Sequence, residues 1–449
     1  MRRALLAGGA TSALLLAALV PQAAASGSDG CSPTAQDRPV CPGRGPLSRA
    51  SFLDPTAQVE DAEHVSLAEE VYVGPFAQVR ASEDAPVSVG ARSNIQDNAL
   101  VQGSRHEADG DDGADGADGA GGAGGEAAPR AGDGEGRAAP GVQIADRVIM
   151  AHGSEVIGPA QIGVEGGDIE ADPDDDQEVF LSFSSQVDGA VLEKNTGVSA
   201  LARVGPGVRL RSGTLVLPGK DVTTQAEADD PALGEVRLIT EADVAFNEAV
   251  IEVNLALAEE YSRLHRERPS SVRGINVDPG GSEFNEDRDL PVFAGEEVRL
   301  PDFRNRIIGE IDLADTVERF SCVSGDRISL RADEGEDFTV GHVHAMDDDV
   351  TFHALEGTDL TVGDGVSYGE GVVVHGGGRV VLQGQPEAPT AVGDDVVLED
   401  GSVVFRSTVG DGATVGERSA VVGTDLAPGA VVPPRTVVLN GEVFGEVEW

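Results

Sequence analysis

Two histidines stand in matching contexts: His353 follows Phe352, and His375 follows Val374, with the two apolar residues 22 positions apart. In a chain that completes a coil in about 18 residues, that spacing is one turn plus a short excursion. The imidazoles then stack on successive coils, about 4.8 Å apart, close enough to chelate one ion. His152 follows Met150-Ala151 in the first half of the chain. A lone histidine is ordinarily a packing or surface residue, and His342 and His344, which flank a coil corner, are read as surface residues.

The coil that would position these groups is written in apolar residues at every sixth position, often followed by Gly. Val409-Gly410, Val415-Gly416 and Val421 form one run, led by Val392-Gly393, Leu398 and Val404. The phase recurs at Leu67, Val73, Val79; Val89, Ile95, Val101; Ile144, Met150, Val156; Val340, Met346, Phe352; and Val362, Tyr368, Val374. Hexads of this kind predict an all-β solenoid, a parallel β-helix in which each hexad makes one face and points one apolar residue inward. Two β-helices are expected, over 27–240 and 291–449. An α-helix lies between them at 241–267, with apolar Val250, Val253, Leu257, Tyr261 and Leu264 on one face, packing back on the first β-helix. Residues 268–290, rich in Pro, Gly, Ser and Asp, form a linker. The Gly/Ala/Asp insert within 104–140 and the acidic run at 164–178 are solvated excursions without assigned chemistry. In this register His152 falls on a different face from that of Phe352 and Val374. Gln96, after Ile95, shares the face of His152 and lies on the coil beneath.

The 449 residues hold 79 Asp plus Glu against 32 Lys plus Arg, a net charge of -47. Such a surface disfavours nucleic acid and anionic membranes and suits a protein kept hydrated in concentrated salt, a halophilic adaptation. Residues 1–26 have a charged start (Arg2, Arg3), an apolar run and Ala23-Ala24-Ala25. This predicts a signal peptide and a secreted, extracellular or cell-surface protein, exported by the general or the twin-arginine route. Cys31 and Cys41 are expected to close a small disulfide loop in that oxidising setting, and Cys322 to pack as a small residue in a β coil.

Several strings resemble the gamma-class carbonic anhydrases, in a tandem duplicated form. They are Pro75-Phe76-Ala77-Gln78-Val79-Arg80, Ser93-Asn94-Ile95-Gln96-Asp97, Met150-Ala151-His152 and the helix bearing Asn254 in the first half. In the second they are Leu330-Arg331-Ala332-Asp333-Glu334-Gly335, Phe352-His353-Ala354-Leu355-Glu356 and Val366-Ser367 through Val374-His375. The resemblance implies left-handed β-helices, a zinc ion (or iron(II) or cobalt) held by three His, and carbon dioxide and bicarbonate as substrates. Neither half has all three of the ligand His that the resemblance implies. The second keeps His353 and His375 with Glu370 in the third place; the first has Gln102 and Ile157 at the paired places and keeps only His152.

These remnants are complementary, so one composite metal site is expected: His152 from one half, His353 and His375 from the other half of the same or a neighbouring chain. Three neutral imidazoles and an open position make hydroxide available at neutral pH. The resemblance gives Glu334 and Glu356 the export of protons and Gln96 the orientation of bound hydroxide or bicarbonate. Arg331 and Arg80 would pair with Asp97 and Asp348 across the interface. Glu370 offers an alternative, a His-His-Glu site built from second halves alone. A catalytically inactive scaffold and a hexapeptide-repeat acyltransferase are the other functional readings. Three-fold packing of β-helices implies a homo-oligomer or a partner gamma-type chain.

Overall fold

The structure, a computed structural model, describes residues 30–104, 140–166, 178–274, 290–300, 304–334, 336–355, 357–377 and 390–449. The expected signal peptide, nearly all of the 104–140 insert and of the acidic run, most of the linker, and Glu356 lie outside the described residues.

The fold is a pair of left-handed β-helices, each a three-faced solenoid. The first has faces of nine, six and seven strands and the second of eight, eight and five, with neighbouring strands parallel except at the ends. The apolar hexad positions cause this closure. In the nine-stranded face Leu53, Val73, Ile95, Met150, Leu181, Val198 and Val216 pair coil upon coil and are all buried. Burying such a side chain stabilises by roughly 1.5–3 kcal/mol.

The Gly after the inward residue has its own reason. Asp364, Asp394 and Asp411 form a ladder along one corner of the second β-helix. Asp364 Oδ1 accepts from the His342 N–H (2.7 Å), Asp394 Oδ1 from Asp364 (2.8 Å) and Asp411 Oδ1 from Asp394 (3.1 Å). A Cβ on Gly363 or Gly393 would lie 2.3 Å from the next coil's Asp Oδ1. The corner therefore admits only Gly beneath each Asp.

The helix Glu241–Glu267 begins with a capping box between Thr240 and Asp243. It lays Val250, Val253, Leu257 and Tyr261 against the nine-stranded face, where the Tyr261 ring stacks 5.1 Å from Phe52 and 6.4 Å from Tyr72.

The same face also meets the second β-helix, at the eight-stranded face that runs from Arg306–Gly309 to Glu442–Glu446. Ala151, Phe183, Leu201, Val373, Val403 and Val437 make a shared apolar cluster. Buried ion pairs bridge the junction at Arg306–Asp54 (2.8 Å) and Arg331–Asp97 (3.1 Å). Trp449 Nε1 donates to the Leu201 carbonyl (2.6 Å) across the same junction.

Cys31 and Cys41 form a disulfide. The expectation for Cys322 is corrected: it is exposed, because it belongs to the short helix Val317–Val323, which buries Phe320 instead.

Candidate metal centre

The junction is built from two facing columns of side chains, and strand register fixes both. In the first β-helix Ile95 pairs with Met150 and Met150 with Leu181, so the second residue beyond each, Asp97, His152 and Phe183, stands in one stack. In the second, Arg331 lies on the coil beneath His353, and His353 pairs with His375 and His375 with Phe405. The columns meet rung by rung: an ion pair, then three imidazoles, then aromatic rings.

On the middle rung, His152 Nε2 lies 3.2 Å from His353 Nδ1, and His353 Nδ1 lies 3.2 Å from His375 Nε2. All three residues are buried and belong to one chain. Each ring's other nitrogen is occupied. Asp97 Oδ2 is 2.9 Å from His152 Nδ1, and Glu334 Oε1 and Asp333 Oδ1 are 2.7 and 3.3 Å from His353 Nε2. His375 Nδ1 donates to the Gly376 carbonyl (2.6 Å). Carboxylates and a carbonyl at these distances favour protons on the outward nitrogens, which would leave the three inward nitrogens, all within 4.8 Å of one another, to offer lone pairs.

The surrounding charges act on these rings. Burial pushes His152 down to about 4, against the pull of Asp97. His375 is lowered well below the usual imidazole range by burial and by the neighbouring His353 and His152. His353 is raised: burial and Arg331 oppose its charge, but Glu334 and Asp333 prevail. The carboxyl of Asp97 is driven down despite burial, chiefly by Arg331 and then by His152. Asp333 is lowered in the same way by Arg331 and also accepts from the Tyr261 hydroxyl (2.7 Å).

The other sequence candidates fall in varied places. Gln96 is buried, its N–H donating to the Met150 carbonyl, but the residue in the stack beneath His152 is Asp97. Glu334 is buried against His353 rather than turned to solvent. Glu370 is exposed on a cleft between the two β-helices and is not among the residues grouped with the His trio, whose ligand atoms lie within 4.8 Å of one another. Gln102 and Ile157 pair with each other on the seven-stranded face of the first β-helix, not on the face at the junction.

Of the two expected cross-junction pairs, Arg331 with Asp97 is present and Arg80 with Asp348 is not. Arg80 is on that seven-stranded face and is held by Gln78, Gln102 and Glu60, whereas Asp348 contacts Arg327 (3.3 Å). Sequence reasoning passed over Asp333, Tyr261, Phe183 and Phe405. For Phe183 a signal existed: it follows Leu181 at the same offset as His152 follows Met150.

No family model matches the chain. It is 30% identical over 234 residues to the carbonic anhydrase of Methanosarcina thermophila, an alignment covering 50% of this chain and 80% of that protein. Among solved structures, a hexapeptide transferase family protein from Anaplasma phagocytophilum is 18% identical, covering 47% of this chain and 93% of that one. Its TM-score of 0.25 adds nothing to the fold described above.

Proposed function

Because the chain belongs to the gamma-class carbonic anhydrase family, we propose that it interconverts carbon dioxide and bicarbonate at a metal ion held by His152, His353 and His375. The observation that carries this reading is the convergence of three ring nitrogens from two β-helices, His353 Nδ1 lying 3.2 Å from each of the other two and all three within 4.8 Å of one another. A tetrahedral ion with nitrogen bonds near 2.0–2.1 Å sets its ligand nitrogens about 3.3 Å apart, so the trio fits zinc or an ion of similar size. Such an ion, when bound, supplies the Lewis acidity that makes water nucleophilic near neutral pH.

The remaining work falls to the chain. Asp97 and Glu334 orient His152 and His353, and the Gly376 carbonyl orients His375. Burial keeps His152 and His375 neutral at pH 7, the form that offers a lone pair. We assign Glu334 to holding His353, because it is buried against that ring and carrying protons outward needs a carboxylate nearer solvent. The reading extends to an exported enzyme working in concentrated salt, supported by the segment 1–26 and the net charge of -47.

The test is metal content together with carbon dioxide hydration, in high salt, for the wild type, His152→Ala and Glu370→Ala. The expected result is loss of both in His152→Ala alone. Loss in Glu370→Ala alone would move the site to second halves, and a metal-free, inert wild type would make the protein a scaffold.

A further inference from the structure

The rung above the imidazoles is aromatic on both sides. The Phe183 ring lies parallel to His152 (centroids 5.9 Å, interplanar angle 2°) and tilted over His375 (4.9 Å), and meets Phe405 edge-on (5.3 Å). Phe405 in turn stands edge-on to His375 (5.5 Å). Phe183 is 5% exposed. Next to it opens the cleft between the two β-helices, about 430 Å³, lined by Gly153, Ser184, Leu201, Thr351, Val373 and Glu370 among others. Gly153 adjoins His152, Ser184 adjoins Phe183, and Thr351 and Val373 precede His353 and His375 by two residues on their strands. The cleft thus runs beside the imidazole rung. On the other side of the rung, Leu355, two residues beyond His353, packs with Val250 and Ile251 of the long helix.

We propose that Phe183, backed by Phe405, is a specificity-determining wall that closes the metal rung on its upper side, next to this cleft, so that the ion is reached from the side lined by the helix. An aromatic ring offers no ligand, and a hydrated anion or a chelator arm would have to shed its water to pass it. Carbon dioxide, small and uncharged, bears no such cost on its approach. The inference rests on the proposed metal site, which the experiment keeps separable from the wall.

The measurement uses the full-length, metal-loaded protein. A chromophoric chelator reports the rate of metal loss, and azide titration of the cobalt-loaded protein reports anion access through the visible spectrum. Phe183→Ala is expected to hold one ion per chain as the wild type does. It is expected to release the ion about tenfold faster or more, on the scale of other losses around metal ligands, and to answer azide at lower concentration. Phe183→Leu, which keeps most of the bulk, should fall between, and decides the matter if Phe183→Ala cannot hold metal at all. Unchanged metal loss and azide response in these variants overturn the wall while leaving the metal site standing. A wild type that takes up no metal overturns the proposed function and the wall together.

Discussion

Asp97 and Arg331 form a buried ion pair across the junction of the two β-helices, Oδ2 to Nη2 3.1 Å, and the same Oδ2 lies 2.9 Å from His152 Nδ1. One carboxylate therefore answers a guanidinium of the second β-helix and an imidazole of the first. Arg331 is also held by Asp333 (2.6 Å), which the Tyr261 hydroxyl reaches from the long helix. Burial of so many charges is tolerable only because each has its counterpart.

Removing the Asp97 charge should therefore act on stability and on the metal at once. Asp97→Asn leaves Arg331 with one carboxylate and His152 without its anionic partner. We expect a loss of about 3 kcal/mol in denaturant unfolding and metal affinity weakened by roughly 10–100-fold, read by competitive titration. Wild-type affinity in a folded variant would show that His152 needs no such support.

Tyr261→Phe removes a single hydroxyl from a stacked aromatic cluster. The bond it makes is to a charged, buried oxygen, so a cost of about 1.5–3 kcal/mol is expected. Metal content should stay unchanged, since Asp333 keeps Arg331. A melting temperature equal to wild type would mean that the helix is held by its apolar face alone.

How much of this was readable beforehand differs between one solenoid and the contact between two. The coils are legible because each spends one residue in six on its own interior, a local period visible in a short window. The pairing of His353 with His375 follows from the same arithmetic, their 22-residue spacing being one coil and an excursion. The contact joins segments some two hundred residues apart, and no period links them. Register alone puts Asp97 and Phe183 in the stack of His152, and Gln96 falls one residue short of it. Arg80 does not reach Asp348 because its strand belongs to the seven-stranded face, which is not the face at the junction. Cys322 was read as part of a coil because the short helix around it breaks the hexads only briefly.

A metal ion bound at the junction would tie the two β-helices together and should stabilise the whole fold. Added zinc is expected to stabilise the wild type, by about 2.7 kcal/mol when its free concentration is a hundred times the dissociation constant, and so to raise the melting temperature. His375→Ala should show no such rise. Equal shifts in both proteins would place the zinc effect elsewhere.

The helix start gives a pH-dependent test away from the junction. Asp243 accepts from Thr240 and pairs with Arg237 (2.8 Å); its carboxyl is lowered despite burial, chiefly by Arg237 and Thr240. A carboxyl depressed in the folded state contributes stability that is full above its unfolded value, near 3.9, and is lost as pH falls through the folded value. Asp243→Ala should thus lower stability by about 1 kcal/mol at pH 7, and the gap to wild type should shrink below about pH 4. A gap that persists unchanged into acid would assign the effect to packing.

The three histidines, divided between two β-helices, are carried by one polypeptide. A site shared by separate subunits comes apart when those subunits are diluted below their dissociation constant. Here the covalent connection holds the two donors at a fixed effective concentration whatever the amount of protein present. Metal occupancy per chain should accordingly be the same at nanomolar as at micromolar protein when free metal is held constant.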